Sequence, residues 1–462
     1  MPIIIPANSA VAGGFSVDNS CRFDGSSSKL VKSQSAGNRQ RWTYSVWLKR
    51  CAITSTTTTF FASSGGGNVY SYLGIQSDKI RWLDYDSGNN SNLITTAVFR
   101  DPSAWYHVVF AFNSNLGSGE TDKEERTKLY INGVRVTSFG TAAYAGHNQD
   151  SGVNVNSANF ILSSNQDQSS GSMWNGYMAE AHFIDGTAYQ ADSFGEFDSD
   201  SGVWKPIEVS GLTYGTNGYY LDFKDSANLG NDANGGTDFT ESGLAATDQT
   251  TDTCTNNFAT INPLIVMNTD TVYSEGNLIM TPGGNTGNWQ IGFSSIAVSA
   301  GKWYVETKMI GGNYVNGISE TTSNQLSASG PEHFIGGFTK EIGYYSQSGN
   351  KFVENSQTSY GASYTNGDIM GMALDLDSGT RTITFFKNGA SQGAITLPSS
   401  METMTFGMSV NQGSSSAQFN FGNPPFSISS GNTDANDFGN FEYAPPSGHL
   451  ALCTKNLSEA NS

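Results

Sequence analysis

Little in this chain carries charge. Only 14% of its residues are Asp, Glu, Lys or Arg, and the shortage falls on the basic side, 23 against 41, for a formal charge of −18. A surface of that sign repels a polyanion, which excludes nucleic-acid binding through phosphate contacts. It suits solubility in salty water; the sharper alternative is that some carboxylates hold calcium. Cysteine is scarce too: Cys21, Cys51, Cys254 and Cys453 lie far apart, with no C-x-x-C spacing. That argues against zinc and predicts free buried thiols, with a Cys21–Cys51 bridge between neighbouring strands as the alternative. No apolar run approaches the ~20 residues of a membrane span, so membrane insertion is not expected. Met1 to Pro6 has neither a basic start nor a long apolar core, so no secretory leader is read there and synthesis in a cytoplasm is expected. Apolar spacing of helical period is nearly absent. So are a G-x-S-x-G elbow, an H-E-x-x-H pair and a phosphate loop, and the five histidines are scattered.

What is present is glycine, 53 residues of it, with aromatics at 12%. Recurring aromatic and β-branched residues argue against disorder and suit short strands joined by tight turns. At ~150 residues per domain, 462 residues predict about three units, or two large all-β ones. The clearest stretch runs from Gly367 to Gly389. Met370, Met372, Leu374 and Leu376 share one face of a strand, Ile383 and Phe385 one face of its return, and Asn388-Gly389 supplies a two-residue hairpin turn. Trp42, Tyr44, Val46 and Leu48 alternate with Thr43, Ser45, Trp47 and Lys49, as in a strand with two unequal faces. Trp105 to Phe112 reads as another strand, and Lys128 to Val136 as a hairpin turning at Asn132-Gly133.

Three groups of motifs resemble known families. Gly367-Asp368-Ile369, Ala373-Leu374-Asp375 and Phe385-Phe386-Lys387-Asn388-Gly389 resemble the hairpin of SPRY domains, and Gly301-Lys302-Trp303-Tyr304-Val305-Glu306 resembles the strand preceding it in that family. Trp105-Tyr106-His107-Val108, Leu129-Tyr130-Ile131-Asn132-Gly133 and Gly176 to Glu180 resemble the laminin-G-like, concanavalin-like superfamily, which implies a jelly roll of two antiparallel sheets whose loops often bind sugars, sometimes with calcium. Gly218 to Phe223, Asp252 to Phe258 and Pro445 to Leu457 resemble connector and terminal motifs of virion proteins of marine tailed phages. The expected fold is all-β: two tandem antiparallel β-sandwich (jelly-roll) domains with an extended N-terminal arm and an irregular connector. The expected boundaries are 1–20 for the arm, 21–190 for the concanavalin-like sandwich, 191–263 for the connector, 264–430 for the SPRY-like sandwich and 431–462 for a tail. In the arm, Ile3 to Ile5 between two prolines fits an edge pairing with another chain or with the protein's own sheet.

An enzyme would need paired carboxyls, ~5 Å apart or ~6.5–9.5 Å apart for glycoside hydrolysis. Glu180 shares a face with His182 but lacks a second acid there, and Asp375 with Asp377 sits at a hairpin turn, where Asp bonds backbone. No catalytic residue is expected. Binding is the better reading, because aromatic rings stack on the apolar faces of sugars while amides and carboxylates take the hydroxyls. The candidates are Trp82, Asp84, Tyr85, Asp86 and Asn89 on and after one strand, Trp174, Asn175 and Tyr177 in a second group, and Tyr344 with Tyr345 in the second domain. The alternative for each aromatic is burial in the core. No cofactor is expected, calcium standing as the open alternative. The expected role is a non-enzymatic surface protein of a phage virion, an adhesin or tail fibre component contacting host-surface glycan or protein. Capsid decoration and polysaccharide depolymerisation are the alternatives. Expected partners are other virion proteins, the host-surface ligand and further copies of this chain.

Overall fold

Alternation of large apolar residues with small polar ones builds nearly all of the regular structure here out of strands. The computed structural model describes residues 14–53, 56–265, 271–283, 289–323, 333–411 and 415–459. It has two compact units, one ending at Thr255 and the other beginning at Asn256. Both are antiparallel β-sandwiches. The arm segment Ile3 to Ile5 lies outside the described residues.

In the first unit one sheet runs Val134–Arg135, Thr127–Ile131, Trp105–Asn113, Arg41–Arg50, Asn175–Asp185, Ser20–Asp24, Gln249–Thr250, with Tyr219–Leu221 also paired to Asn175–Asp185. The facing sheet runs Phe139–Ala143, Asn89–Thr95, Lys79–Asp86, Val69–Gln76, Thr58–Ser64, Asn159–Leu162, Lys29–Ser33, Thr240–Ser242. Trp42, Tyr44, Val46 and Leu48 point between the sheets and are buried there with Phe61, Trp82, Phe110 and Phe183. Their rings lie 4.3 Å apart for Tyr44 and Phe61 and 4.5 Å apart for Trp82 and Phe110, in offset or tilted contact.

The opposite face of strand Arg41–Arg50 is buried as well, because later chain covers it. Trp47, Val109, Tyr177 and Ile184 pack against Ala191, Phe194, Trp204 and Cys254. His107 stacks on Trp47 at 4.7 Å and on Trp204 at 5.9 Å. Trp204 Nε1 donates to His107 Nδ1 at 2.9 Å, so His107 Nε2–H is the donor to Ser45 Oγ at 2.8 Å. Burial holds the imidazole neutral, its pKa lowered to about 3. Lys49 Nζ meets Asp252 Oδ2 at 2.6 Å with both side chains fully buried, and Trp105 Nε1 donates to Asp252 Oδ1 at 3.1 Å.

The stretch 191–263, expected as an irregular connector, instead contributes Tyr219–Leu221, Thr240–Ser242 and Gln249–Thr250 to the two sheets of the first unit. Tyr219, Leu221, Phe223, Leu229 and Phe239 belong to the first core, and Ala259 and Ile261 to the second. Large apolar residues between its glycines draw it onto the sheets. Cys21 and Cys51 are free thiols: Cys21 faces the inner core and Cys51 the covered outer face, so no bridge spans the sheet between them.

In the second unit one sheet runs Val272–Ser274, Ile279–Thr281, Ser416–Asn420, Lys302–Ile310, Ile369–Asp375, Thr382–Lys387, Ala390–Thr396, with Leu450–Ala451 pairing Lys302–Ile310 in parallel. The other runs Trp289–Phe293, Met404–Asn411, Asn313–Glu320, Glu341–Tyr345, Asn350–Val353, Ser356–Ser359. Met370, Met372, Leu374, Ile383 and Phe385 are core residues, and Asn388 (φ 47°) and Gly389 (φ 78°) make the left-handed turn their hairpin needs. The stretch after 430 is more than a tail: Phe441, Ala451, Leu452 and Cys453 are fully buried. Glu306 holds it, accepting the backbone N–H of Tyr443 at 2.8 Å and of Glu442 at 2.9 Å, with Asn420 Nδ2 at 3.1 Å.

Candidate binding site

The loops 215–218 and 234–238 fold back beside strand Lys29–Ser33 and leave a depression of about 530 Å³. Its lining is polar, including Ser35, Thr216, Asn217, Asn234, Thr237, Asp238 and Thr240. Asp232 organises one wall. Its Oδ1 accepts the backbone N–H of Tyr220 (3.0 Å) and Asn234 (3.1 Å), and its Oδ2 meets Lys32 Nζ at 2.9 Å. Lys32 is in turn enclosed over the rings of Tyr219 and Phe239, 5.6 and 5.5 Å from their centroids. A Cβ on Gly236 would stand 2.3 Å from Asp232 Oδ2, so a larger residue there would displace the carboxylate that meets Lys32. Asn217 fixes the other wall: its amide bonds Ser35 through both N–H and C=O at 2.8 Å and reaches Asn154 Oδ1 at 3.0 Å.

The rim differs from this frame. The side chains of Ser35, Thr216, Asn234, Thr237 and Thr240 line the depression and make no hydrogen bond within the described protein. Asp238 is the one carboxylate in the lining. The Asp232 N–H and the Asn228 amide lower its pKa, so it stands ionised as an acceptor. Hydroxyls, amides and one carboxylate with glycine backbone beside them can take the hydroxyls of a saccharide. A single carboxylate gives no acid and base pair for cleaving one.

None of the ten residues singled out from sequence lines this depression. Four are taken out of reach by burial. Trp82 and Trp174 are 1% exposed in the inner core, Tyr177 lies fully buried beneath the covering segment, and Tyr344 is fully buried in the second core. Large rings on strands supply most of the area that leaves water, which is why they sit inside. Asp84 is fully buried and structural: it accepts Ser71 Oγ at 2.6 Å and Gly152 N–H at 2.8 Å, and burial pushes its pKa up despite those bonds. Asn175 pairs with Asp24 in the sheet, its backbone oxygen accepting Cys51 N–H at 3.1 Å. Tyr85, Asp86 and Asn89 do come together at one hairpin, where half-buried Tyr85 stacks on Tyr70 at 5.0 Å, Asp86 is exposed and the Asn89 backbone pairs with Tyr85. Tyr345 is half-buried on the outer face of the six-stranded sheet. Among the described residues no three His, Cys, Asp or Glu side chains gather at one point. In the sequence this region is marked by the run Gly230 to Asp252, rich in Gly, Asn, Asp and Thr, which reads as loop because nothing in it has a period.

Residues 23–192 match the Concanavalin A-like lectin/glucanases superfamily, and residues 278–424 match the SPRY domain. The chain therefore carries a concanavalin-like domain followed by a SPRY domain, folds that fit a binding or adhesin-like role. Among solved structures it is similar to a human SPRY domain at 16% identity, covering 32% of this chain and 94% of that one, with a TM-score of 0.26. It is similar also to a heptameric SAP-like pentraxin from Limulus polyphemus, at 16% identity, 38% of this chain, 78% of that chain and a TM-score of 0.29. The fold assignment rests on the two family matches and the strand order. No curated protein matches the chain.

Proposed function

We propose that this protein is a non-enzymatic adhesin whose first domain holds a host-surface glycan in the depression between strand Lys29–Ser33 and the loops 215–218 and 234–238. The observation that carries this reading is the set of unbonded hydroxyl and amide side chains on a rigid frame. An empty sugar site needs donors and acceptors already placed but not yet used. The virion setting rests on the sequence resemblance at Gly218 to Phe223, Asp252 to Phe258 and Pro445 to Leu457. In that setting the chain is made in the host cytoplasm, sits on the particle surface among other virion proteins, and gains avidity from many copies. Capsid decoration, with Ile3 to Ile5 as the attaching segment, is the alternative reading and rests on sequence alone. Depolymerisation finds less support. The Glu180 carboxylate is buried and accepts Tyr220 OH at 2.8 Å, while Asp375 accepts the N–H of Ser378 in its own turn and Asp377 that of Gly301.

A glycan array probed with the multimerised protein tests the reading. The expected result is a family of saccharide hits that Asn234→Ala with Thr237→Ala weakens at least tenfold, without a change in thermal unfolding. Identical hits for both proteins, or release of reducing ends from any hit, would overturn it. Adding a chelator to the same array separates calcium-dependent from calcium-free recognition.

A further inference from the structure

Seven asparagines in the chain are followed directly by glycine: Asn132, Asn175, Asn217, Asn234, Asn316, Asn366 and Asn388. Such a pair can rearrange without an enzyme. The glycine nitrogen attacks the asparagine Cγ, and a glycine has no Cβ to block the approach. The step needs a carboxamide free to turn, a glycine backbone free to move, and water at hand.

The fold withholds these from six of the seven. Asn175 and Asn316 lie inside strands, where Gly176 pairs with Phe23 and Arg50 on its two sides, and Gly317 with Gly343 and Gly407. Asn217 is tied to Ser35 and Asn154. Asn132 Oδ1 accepts His107 N–H at 2.7 Å. Asn366 Oδ1 accepts Gly311 N–H at 3.1 Å, while Gly367 N–H donates to the Met309 carbonyl at 3.0 Å. Asn388 is held through both atoms of its amide, accepting Ile369 N–H at 2.9 Å and donating to Asp368 Oδ1 at 2.7 Å.

Asn234 is the exception. It is exposed on the rim of the depression, and its carboxamide makes no hydrogen bond within the described protein. Two exposed glycines follow it. Gly235 has φ 84°, and nothing lies within 4 Å of where its Cβ would stand. One bond restrains the nucleophile: Gly235 N–H donates to the Asp232 carbonyl at 2.8 Å. It is a single turn bond at the surface, of the kind that opens locally without unfolding the domain.

We propose that Asn234-Gly235 is a deamidation site and the place where this molecule ages first. The Gly235 nitrogen gives its proton to solvent and bonds to Asn234 Cγ. The Cγ–Nδ2 bond breaks, and Nδ2 leaves as ammonia with a proton returned by solvent. Water then opens the five-membered imide at one of its two carbonyls, leaving isoaspartate or aspartate. The net change is water in and ammonia out, with no oxidation. A neutral carboxamide becomes a carboxylate on the same rim as Asp238. The isoaspartate form also adds one carbon to the loop backbone. Resting on the glycan reading above, conversion at Asn234 weakens binding in the depression.

The test is peptide mapping by mass spectrometry of the full chain held in warm, mildly alkaline buffer, both native and in urea. In the native protein the peptide with Asn234 should gain one mass unit at least tenfold faster than those of the other six pairs, with isoaspartate the larger product. In urea the seven should convert at similar rates, because unfolding frees all of them alike. Asn234→Gln, which keeps the carboxamide, should remove the fast conversion and leave thermal unfolding unchanged. Another pair converting as fast as Asn234 in the native protein, or an undiminished lead for Asn234 in urea, overturns the proposal. Protein converted at Asn234 that keeps its array hits upholds the modification and counts against the depression as the glycan site.

Discussion

The first unit covers the outer face of a sheet with residues 189–255 and the second covers one with residues 429–453, yet the two coverings are held by opposite chemistry. In the first, a cation is buried with its carboxylate: Lys49 on the sheet meets Asp252 on the covering chain. In the second, a carboxylate on the sheet takes backbone N–H groups and no cation is involved: Glu306 accepts Tyr443 and Glu442. An ion pair removes two charges from water and recovers the cost only while both remain, so it is sensitive to loss of either partner. A carboxylate on amides removes one charge, and its protonation state then carries the cost.

The comparison breaks most visibly at the ion pair. Asp252→Asn leaves Lys49 buried without its counter-charge and should cost about 3–5 kcal/mol in the first unit's denaturant transition, whereas Lys49→Met with Asp252→Leu should recover most of that. A double replacement as damaging as the single one would remove the argument from desolvation. Next comes Gly343→Ala. Its methyl meets the Ile335 carbonyl oxygen, which is backbone and cannot swing away, so the 333–338 segment must lift at a cost of about 1–3 kcal/mol. Faster amide exchange at Ile335 and Gly336 would report it.

Glu306→Gln should be the mildest, about 1 kcal/mol at acid pH, because the carboxamide nitrogen cannot accept the N–H that a carboxyl oxygen accepts. It also sharpens the contrast through pH. Burial raises the Glu306 pKa, and the N–H groups of Tyr443 and Glu442 only partly offset it. A raised folded pKa contributes stability fully below the unfolded value, about 4.3, and loses it as pH rises through the folded value. The wild-type advantage over Glu306→Gln should therefore shrink from about pH 4 upward, read from melting temperatures across pH.

Strand pairs with period-two faces and Asn-Gly turns were legible from sequence, since Met370 to Leu374 and Asn388-Gly389 fix face and register locally. The coverings were not. Trp47, Lys49 and His107 sit on a face that alternation alone marks as half-exposed, and only distant chain, Trp204 and Asp252, buries it. Of the candidate binders, aromatic type was a poor guide. Tyr344 and Tyr345 are one residue apart, and the pleat sends the first into the core and the second toward Trp289. The polar depression escaped because Asn234, Thr237 and Thr216 converge only after the connector folds onto Lys32.

Hydrogen–deuterium exchange of the full chain, with and without a glycan found on the array, tests the central claim most directly. The account predicts slowed exchange across 215–218 and 234–240 with the Tyr70–Tyr85 hairpin unchanged. Protection at that hairpin with none at the two loops would contradict it.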